Sequence, residues 1–230
     1  MRKIATYMLG ILIVASSAIG LPASAQAQRA PMYTWTGFYI GGFVGAAHHK
    51  ADWTELNDDW WNGKQTARST GVYGGLYAGV NFQMSQFLYG LEADFGLASN
   101  STKDNLSDGV YDDIERNRMR WLSTIRARAG YLCDNYLFFV TGGLAIADFN
   151  TKMSSNDFPG EVYHPSGVRV GWVAGGGVEY RFGGNMAVRA EGLFHSFGSK
   201  TYEQPIQPDD RDRIKNTVIT GRIGFSWYFN

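Results

Sequence analysis

Charged residues recur at a spacing of two along the chain, and they are the first candidates for chemistry. The set comprises Glu92 and Asp94, Arg126 and Arg128, Glu179 and Arg181, Arg189 and Glu191, and Arg222. Two carboxylates on one face of a strand, such as Glu92 and Asp94, could in principle act as a general acid and base. Neighbouring arginines favour the ionised form of both carboxylates, which suits ion pairing better than proton transfer. We therefore predict an ion-pair network and no enzyme activity.

Four histidines are the second group of candidates: His48, His49, His164 and His195. Their imidazoles could ligate a bound group, and ligand binding is one hypothesis for them. Solvated or internal histidines are the other. His195 and Ser196 are adjacent and point to opposite faces of a strand, which is poor geometry for a nucleophile and its base. No metal site is predicted.

Alternation of apolar and polar residues indicates that strands position these charges. In the segment 119–146, residues 121, 125, 127, 129 and 131 form an apolar face, while Thr124, Arg126 and Arg128 share the other face. A turn is expected at residues 133–135. We predict eight strands: one opening at Trp35, two within 119–146, and five at 70–82, 87–98, 168–182, 186–198 and 217–229.

The length of the connections decides how the two faces are used. Short turns fall near residues 84, 134 and 184, and long polar segments fall at 49–69, 100–115, 150–166 and 199–216. A soluble sandwich would bury the apolar faces and has no reason to collect its long loops at one end. Short turns alternating with long loops are typical of an outer-membrane barrel with arginines in its lumen. We therefore predict an all-β, eight-stranded, antiparallel up-and-down transmembrane β-barrel with both termini periplasmic and four long extracellular loops.

The N-terminus has the composition of a secretory signal peptide. Arg2 and Lys3 precede an apolar run of 13 residues at 7–19, and small residues follow at 23–27. We expect cleavage after Ala27, a periplasmic linker at 28–35 and a barrel domain at 28–230. No later stretch approaches 18 apolar residues, so membrane insertion is expected through strands.

The predicted lumen is narrow and contains five arginines and four carboxylates. The interior of an eight-stranded barrel is about filled by side chains, and unpaired buried ions are costly. We therefore expect a barrel whose lumen is closed by charged side chains and which contributes to envelope integrity and surface interactions. A small porin-like channel is the alternative. Lys and Arg total 21 and Asp and Glu total 21, and this zero net charge argues against a nucleic-acid partner.

Six motifs together resemble one family. They are WTGFYIGG at 35–42, GLEADF at 90–95, RARAGY at 126–131, VTGGLA at 140–145, GWVAGGGVEY at 171–180 and RAE at 189–191. They resemble the small surface barrels of the alphaproteobacterial outer membrane immunogenic protein family. The resemblance implies a Gram-negative outer-membrane location, antigenic loops, and contact with lipid, lipopolysaccharide and host or environmental ligands. Some relatives are described as hemin-binding, so the resemblance makes hemin the candidate ligand of His48, His49, His164 and His195. Other relatives are described as porin-like.

The end of the last strand departs from the pattern of that family. Its members usually end on an aromatic residue, which is part of the signal read by the barrel-assembly machinery. Here Phe229 is followed by Asn230. The rest of the strand fits, so barrel assembly is still expected, at a lower rate.

Overall fold

Ten antiparallel β-strands account for nearly all of the chain that the computed structural model describes, which is residues 33–55, 64–99, 104–107, 112–155, 162–163, 167–203 and 211–229. The strands are β1 (Gly37–Glu55), β2 (Lys64–Met84), β3 (Phe87–Ser99), β4 (Asp104–Ser107), β5 (Asp112–Cys133), β6 (Tyr136–Ser155), β7 (Val162–Tyr163), β8 (Gly167–Phe182), β9 (Met186–Glu203) and β10 (Arg211–Phe229). Within these described ranges, no helix is long and apolar enough to cross a membrane.

The eight long strands close into a barrel. The hydrogen-bonded order is β5-β3-β2-β1-β10-β9-β8-β6, and pairing of β5 with β6 joins the two ends of the sheet. Every pairing is antiparallel, and β1 runs beside β10 from Phe38↔Phe229 to Glu55↔Asp212. The prediction of an eight-stranded antiparallel barrel is confirmed. The short strands β4 and β7, which were not predicted, pair with the distal parts of β5 and β6.

Charged residues face the lumen and apolar residues face outwards, as the alternation predicted. Successive side chains of β3 are exposed and buried in turn along all 13 residues. Leu91 is 60% exposed on the outside, whereas its neighbour Glu92 is 3% exposed inside. Because the apolar face is the outer one, the sandwich alternative is excluded.

The strands continue well into the polar segments that were predicted as loops. The segment 49–69 contains the end of β1 and the start of β2, which stay paired as far as Thr54↔Lys64. Likewise β5 and β6 stay paired from the turn to Asp113↔Ser155. Beyond the apolar band both faces of a strand are polar, so alternation is lost although the backbone ladder persists. The loop prediction was therefore wrong for much of these segments.

The short turns lie at the positions expected from the sequence. Ser85 follows β2 with a φ of 57°, and Asp134 follows β5 with a φ of 52°. The third turn uses Gly183 and Gly184, with φ values of 59° and 81°. These left-handed conformations are accessible to Gly and, at a modest cost, to short polar residues.

The segment before β1 closes the short-turn end of the lumen. Trp35, expected in a periplasmic linker, is 0% exposed. Its backbone N–H donates to Gln83 Oε1 at 2.8 Å, and its ring meets Tyr228 edge-on with centroids 5.6 Å apart. Residues 33–36 therefore lie across the end of the barrel that carries the short turns. The proposed signal peptide at 1–27 lies outside the described residues.

β5 and β6 approach each other closely at Gly143, so alanine substitutions at Gly143 and at its neighbour Gly142 should differ in their effect on stability. A Cβ on Gly143 would collide with the carbonyl oxygen of Ile125, whereas a Cβ on Gly142 would have its nearest neighbour, Val173 O, at an ordinary 3.5 Å. We expect Gly143→Ala to lower the free energy of unfolding by about 1–3 kcal/mol. Gly142→Ala should change it by less than about 0.5 kcal/mol. Urea unfolding followed by tryptophan fluorescence measures both, and equal effects would contradict the close packing.

Candidate functional site

Eight charged side chains interlock across the middle of the lumen. Glu92 and Asp94 come from β3, Arg126 and Arg128 from β5, Glu179 from β8, Arg189 and Glu191 from β9, and Arg222 from β10. These eight residues are here called the charge network. Each is between 0% and 5% exposed. Their inward direction follows from strand alternation, because residues two apart share a face.

The parts of the strands beyond the apolar band are here called the strand extensions. Arg126 and Arg222 organise the part of the network nearer these extensions. Arg126 Nη1 donates to Glu191 Oε1 at 2.6 Å, and its Nη2 donates to Asp94 Oδ2 at 3.2 Å and also to Glu92. Arg222 Nε donates to Glu191 Oε2 at 2.6 Å, and its Nη2 donates to Asp94 Oδ2 at 2.9 Å. Two guanidiniums thus share Asp94 and Glu191 between them.

Glu92 and Glu179 organise the part nearer the short turns. Glu92 Oε2 accepts from Arg189 Nη1 at 2.7 Å and from the Tyr39 hydroxyl at 2.7 Å. Arg128 donates to Glu179 Oε2 and to the Tyr39 oxygen, both at 2.9 Å. The other Glu179 oxygen accepts from Ser226 at 3.0 Å and from Tyr228 at 2.9 Å. Neutral hydroxyls therefore share Glu92 Oε2 with a guanidinium and supply the hydrogen bonds of Glu179 Oε1.

Aromatic rings line the network and cover its guanidiniums. Arg189 lies 3.9 Å from the ring centroid of Tyr77. Arg128 lies 4.4 Å from Phe139, and Arg222 lies 4.4 Å from Phe43. Cation–π attraction grows when the cation is removed from water, so these rings help to hold buried guanidiniums in place.

The network contains four guanidiniums and four carboxylates, so its formal charge is zero. Ions taken out of water cost several kcal/mol each unless they are paired and hydrogen-bonded, and here each carboxylate contacts at least two guanidinium or hydroxyl groups. Carboxylates engaged in this way are poor general acids and bases. The arrangement can instead cross-link opposite walls and fill the lumen.

Arg181, the ninth residue of the predicted network, lies beyond Glu179 towards the short-turn end. Its guanidinium donates to the carbonyl oxygens of Gly184, at 2.5 Å, and of Thr34. It also lies 4.4 Å from the ring centroid of Tyr228. This arginine therefore ties the segment before β1 to the β8–β9 turn.

Of the three histidines that the structure describes, one faces outwards and two face the lumen. His48 faces outwards and contacts Thr70 Oγ1 through Nδ1 at 2.8 Å. His49 and His195 are each 1% exposed inside the lumen. His49 contacts Asn216 Oδ1 at 3.0 Å, and His195 contacts the carbonyl oxygen of Val218 at 3.2 Å. A tetrapyrrole could reach these two only if this end of the lumen opened. His164 lies outside the described residues, and hemin binding stays a prediction.

Three hydroxyl residues of the site were missed by the sequence reasoning: Tyr39, Ser226 and Tyr228. Only charged residues were assigned to the network, although Ser226 lies four residues after Arg222 and so shares its face of the strand. A step of two from Ser226 reaches Tyr228, so alternation alone could have found it. Tyr39 could have been found from the same alternation in β1, whose inward residues include Tyr39, Phe43 and Ala47.

The hydroxyl of Tyr39 is expected to stabilise the barrel measurably. Tyr39→Phe removes a donor to Glu92 and an acceptor for Arg128, both of which stay buried. We expect the free energy of unfolding to fall by about 1–3 kcal/mol. Tyr89→Phe is the matched control, because Tyr89 is 52% exposed on the outer face. Equal unfolding midpoints for Tyr39→Phe and the unmodified protein would argue against a bridging role.

Comparison with known proteins places this architecture among outer-membrane proteins. The sequence model of the outer membrane protein beta-barrel domain family matches residues 12–229. The 25 kDa outer-membrane immunogenic protein of Brucella abortus biovar 1 is 30% identical over 187 residues, which cover 79% of this chain and 75% of that protein. The 22 kDa outer membrane protein of Rhizobium leguminosarum bv. viciae is 29% identical over 199 residues, or 85% of this chain and 81% of that protein. Neisserial surface protein A aligns with 84% of this chain and 98% of its own at 15% identity and a TM-score of 0.40.

Proposed function

The chain belongs to the outer membrane protein beta-barrel domain family and is an outer-membrane protein, and from this premise we propose that it serves as a closed structural wall of the envelope. In this role the barrel contributes to envelope integrity and presents its long strand extensions to the environment. It conducts neither ions nor solutes, and it has no enzymatic activity.

The charge network is the observation that carries this proposal. Its ion pairs reach from β5 to β3 and β9, and from β10 to β3 and β9. Pairs that cross the lumen hold opposite walls together, and they occupy the cross-section that a channel would need. A stable, filled barrel suits a load-bearing role better than a transport role.

The proposal also assigns an orientation. The short turns and residues 33–36 face the periplasm, and the long extensions of the strands face outwards, as is usual for outer-membrane barrels. Assembly is through the barrel-assembly machinery, and the surrounding partners are lipid and lipopolysaccharide.

Membrane-impermeant maleimide labelling of intact cells tests this orientation. Cys133, the single cysteine of the chain, is exposed beside a short turn. It should stay unlabelled in intact cells and react after the outer membrane is opened. In a Cys133→Ser background, Thr66→Cys places a thiol on the exposed extension of β2 and should react in intact cells. The opposite labelling pattern would overturn the orientation.

Envelope integrity is tested by deleting the gene and restoring it. Loss of the protein should raise sensitivity to detergent with EDTA, and the unmodified gene should reverse the change. Unaltered sensitivity after verified loss of the protein would overturn the structural role.

A further inference from the structure

Three cations lie together on the outer face of the barrel where its apolar band ends. They are Lys50 on β1, Arg68 on β2 and Lys215 on β10, here called the cation cluster. We propose that the cation cluster is a binding site for the phosphate groups of lipopolysaccharide. The site rests on the proposed orientation, in which this end of the barrel meets the outer leaflet.

The strand register brings the three cations close together. Lys50 is directly opposite Arg68 on β2, and Thr217 is its partner on β10. Lys215 is directly opposite Asp52, to which Lys50 Nζ donates at 2.8 Å. Like charges directly opposite in a sheet are destabilising, so this arrangement needs anions nearby. Asp52 provides one negative charge against three cations among the described side chains of the patch, and a lipid phosphate can provide the rest.

The cation cluster lies where the apolar outer surface of the barrel ends, which is the height expected for a lipid headgroup. His48 and Thr70 lie on the same face, two residues nearer the short turns than Lys50 and Arg68. Their side chains hydrogen-bond to each other at 2.8 Å. Below them the surface becomes aliphatic, with Val44, Val72 and Ile219 all more than half exposed. Lys and Arg side chains at such a boundary attract anionic headgroups, and guanidinium and ammonium groups bind phosphate well.

A depression in the outer wall lies below the cation cluster on β1, β9 and β10. Its volume is about 710 Å³. Its outward-facing lining residues are small or aliphatic: Val44, Ala190, Gly192, Gly221 and Ile223. Gly221 lies six residues below Lys215, or about 20 Å along β10, at about 3.3 Å per residue. A phosphorylated headgroup on the cation cluster can therefore place an acyl chain in the depression, which fits an amphiphile better than a free anion.

Binding to the refolded barrel, measured by native mass spectrometry, tests the site with four probes. The probes are a phosphorylated lipid A, the same lipid without its phosphates, phosphatidylglycerol and inorganic phosphate. The triple variant Lys50→Gln, Arg68→Gln and Lys215→Gln should bind phosphorylated lipid A on the order of 100-fold more weakly, at about fivefold for each cation. Arg120→Gln is the matched control, since it removes an exposed cation at the same end of β5, and it should bind normally.

A second pair of variants tests the depression without touching a charge. A Cβ on Gly221 meets nothing within 4 Å, so the backbone there leaves room for a side chain, and we expect Gly221→Leu to fill the depression. It should weaken binding of lipid A several-fold, whereas Gly142→Leu, on the outer face of β6, should not.

Three outcomes would overturn the site. One is unchanged affinity of the triple variant for phosphorylated lipid A. Another is equally tight binding of phosphatidylglycerol, lost in the same variant, which would assign the cation cluster to phospholipid. The third is displacement of lipid A by millimolar inorganic phosphate, which would indicate a site for the free anion. Cell labelling with maleimide is independent of all three, so a wrong orientation is distinguished from a wrong ligand.

Discussion

Replacing Arg126 by alanine is expected to lower the free energy of unfolding of the barrel by about 3–5 kcal/mol. Arg126 binds Glu191, Asp94 and Glu92 in the buried lumen. Its loss leaves four carboxylates facing three guanidiniums, and water that enters the vacated space compensates the negative charge less well than a guanidinium does. The measurement is urea unfolding in lipid vesicles, followed by tryptophan fluorescence.

Arg120 provides the control for removing an arginine from the same strand. Its side chain is 63% exposed, and its Nη1 lies 3.5 Å from Asp148 Oδ2. Exposed ion pairs contribute about 0–1 kcal/mol, so Arg120→Ala should be nearly neutral. Equal losses for the two alanine variants would show that burial of the network has no special role.

Restoring the charge balance should recover part of the loss. The double variant Arg126→Met and Glu191→Gln leaves three guanidiniums and three carboxylates. We expect it to be more stable than the sum of its single variants predicts, by about 0.5–3 kcal/mol. Strict additivity would mean that the two residues do not act as a pair.

The double variant Arg126→Ala and Arg128→Ala is expected to turn the closed barrel into a channel. From β5, Arg126 reaches Glu191 on β9, and Arg128 reaches Tyr39 on β1. Around the barrel, β9 and β1 each lie three strands away from β5, in opposite directions. The two side chains therefore cross most of the lumen. Removing both leaves four carboxylates against two guanidiniums. Planar-bilayer recordings should therefore show conductance steps that favour cations over anions.

Arg120→Ala is again the control, because it removes a cation outside the lumen and should stay silent. Heat-modifiable mobility on gels establishes that each variant has folded before it is recorded. A folded double variant without conductance steps would show that other side chains close the lumen. Tyr77, Phe139 and Phe43, whose rings cover the network arginines, are the residues to test in that case.

Most of the architecture was predictable because alternation is strong wherever the two faces of a strand differ. The inward positions of Glu92, Arg126 and Arg189 followed directly from their apolar neighbours. Alternation fails above the apolar band, where both faces are polar, so the pairing of Lys50 with Arg68 could not be predicted. The polar sequence of these extensions predicts loops, although their backbones form a continuous hydrogen-bonded β-ladder.

Only some of the pairs within the network could be predicted from the sequence. Adjacent strands suggested that Glu92 and Asp94 meet Arg126 and Arg128. The contacts of Arg126 with Glu191 and of Arg128 with Glu179 cross the lumen, and they depend on strand tilt and side-chain length. Strand alternation fixes the face of a side chain but carries no information on how far it reaches across a closed barrel.

The most direct test of the closed lumen is a planar-bilayer recording of the unmodified protein after refolding. Its folded state should first be verified by heat-modifiable mobility. We predict no conductance steps above the background of the bilayer. Reproducible steps from the folded, unmodified barrel would contradict the wall function and support the porin-like channel.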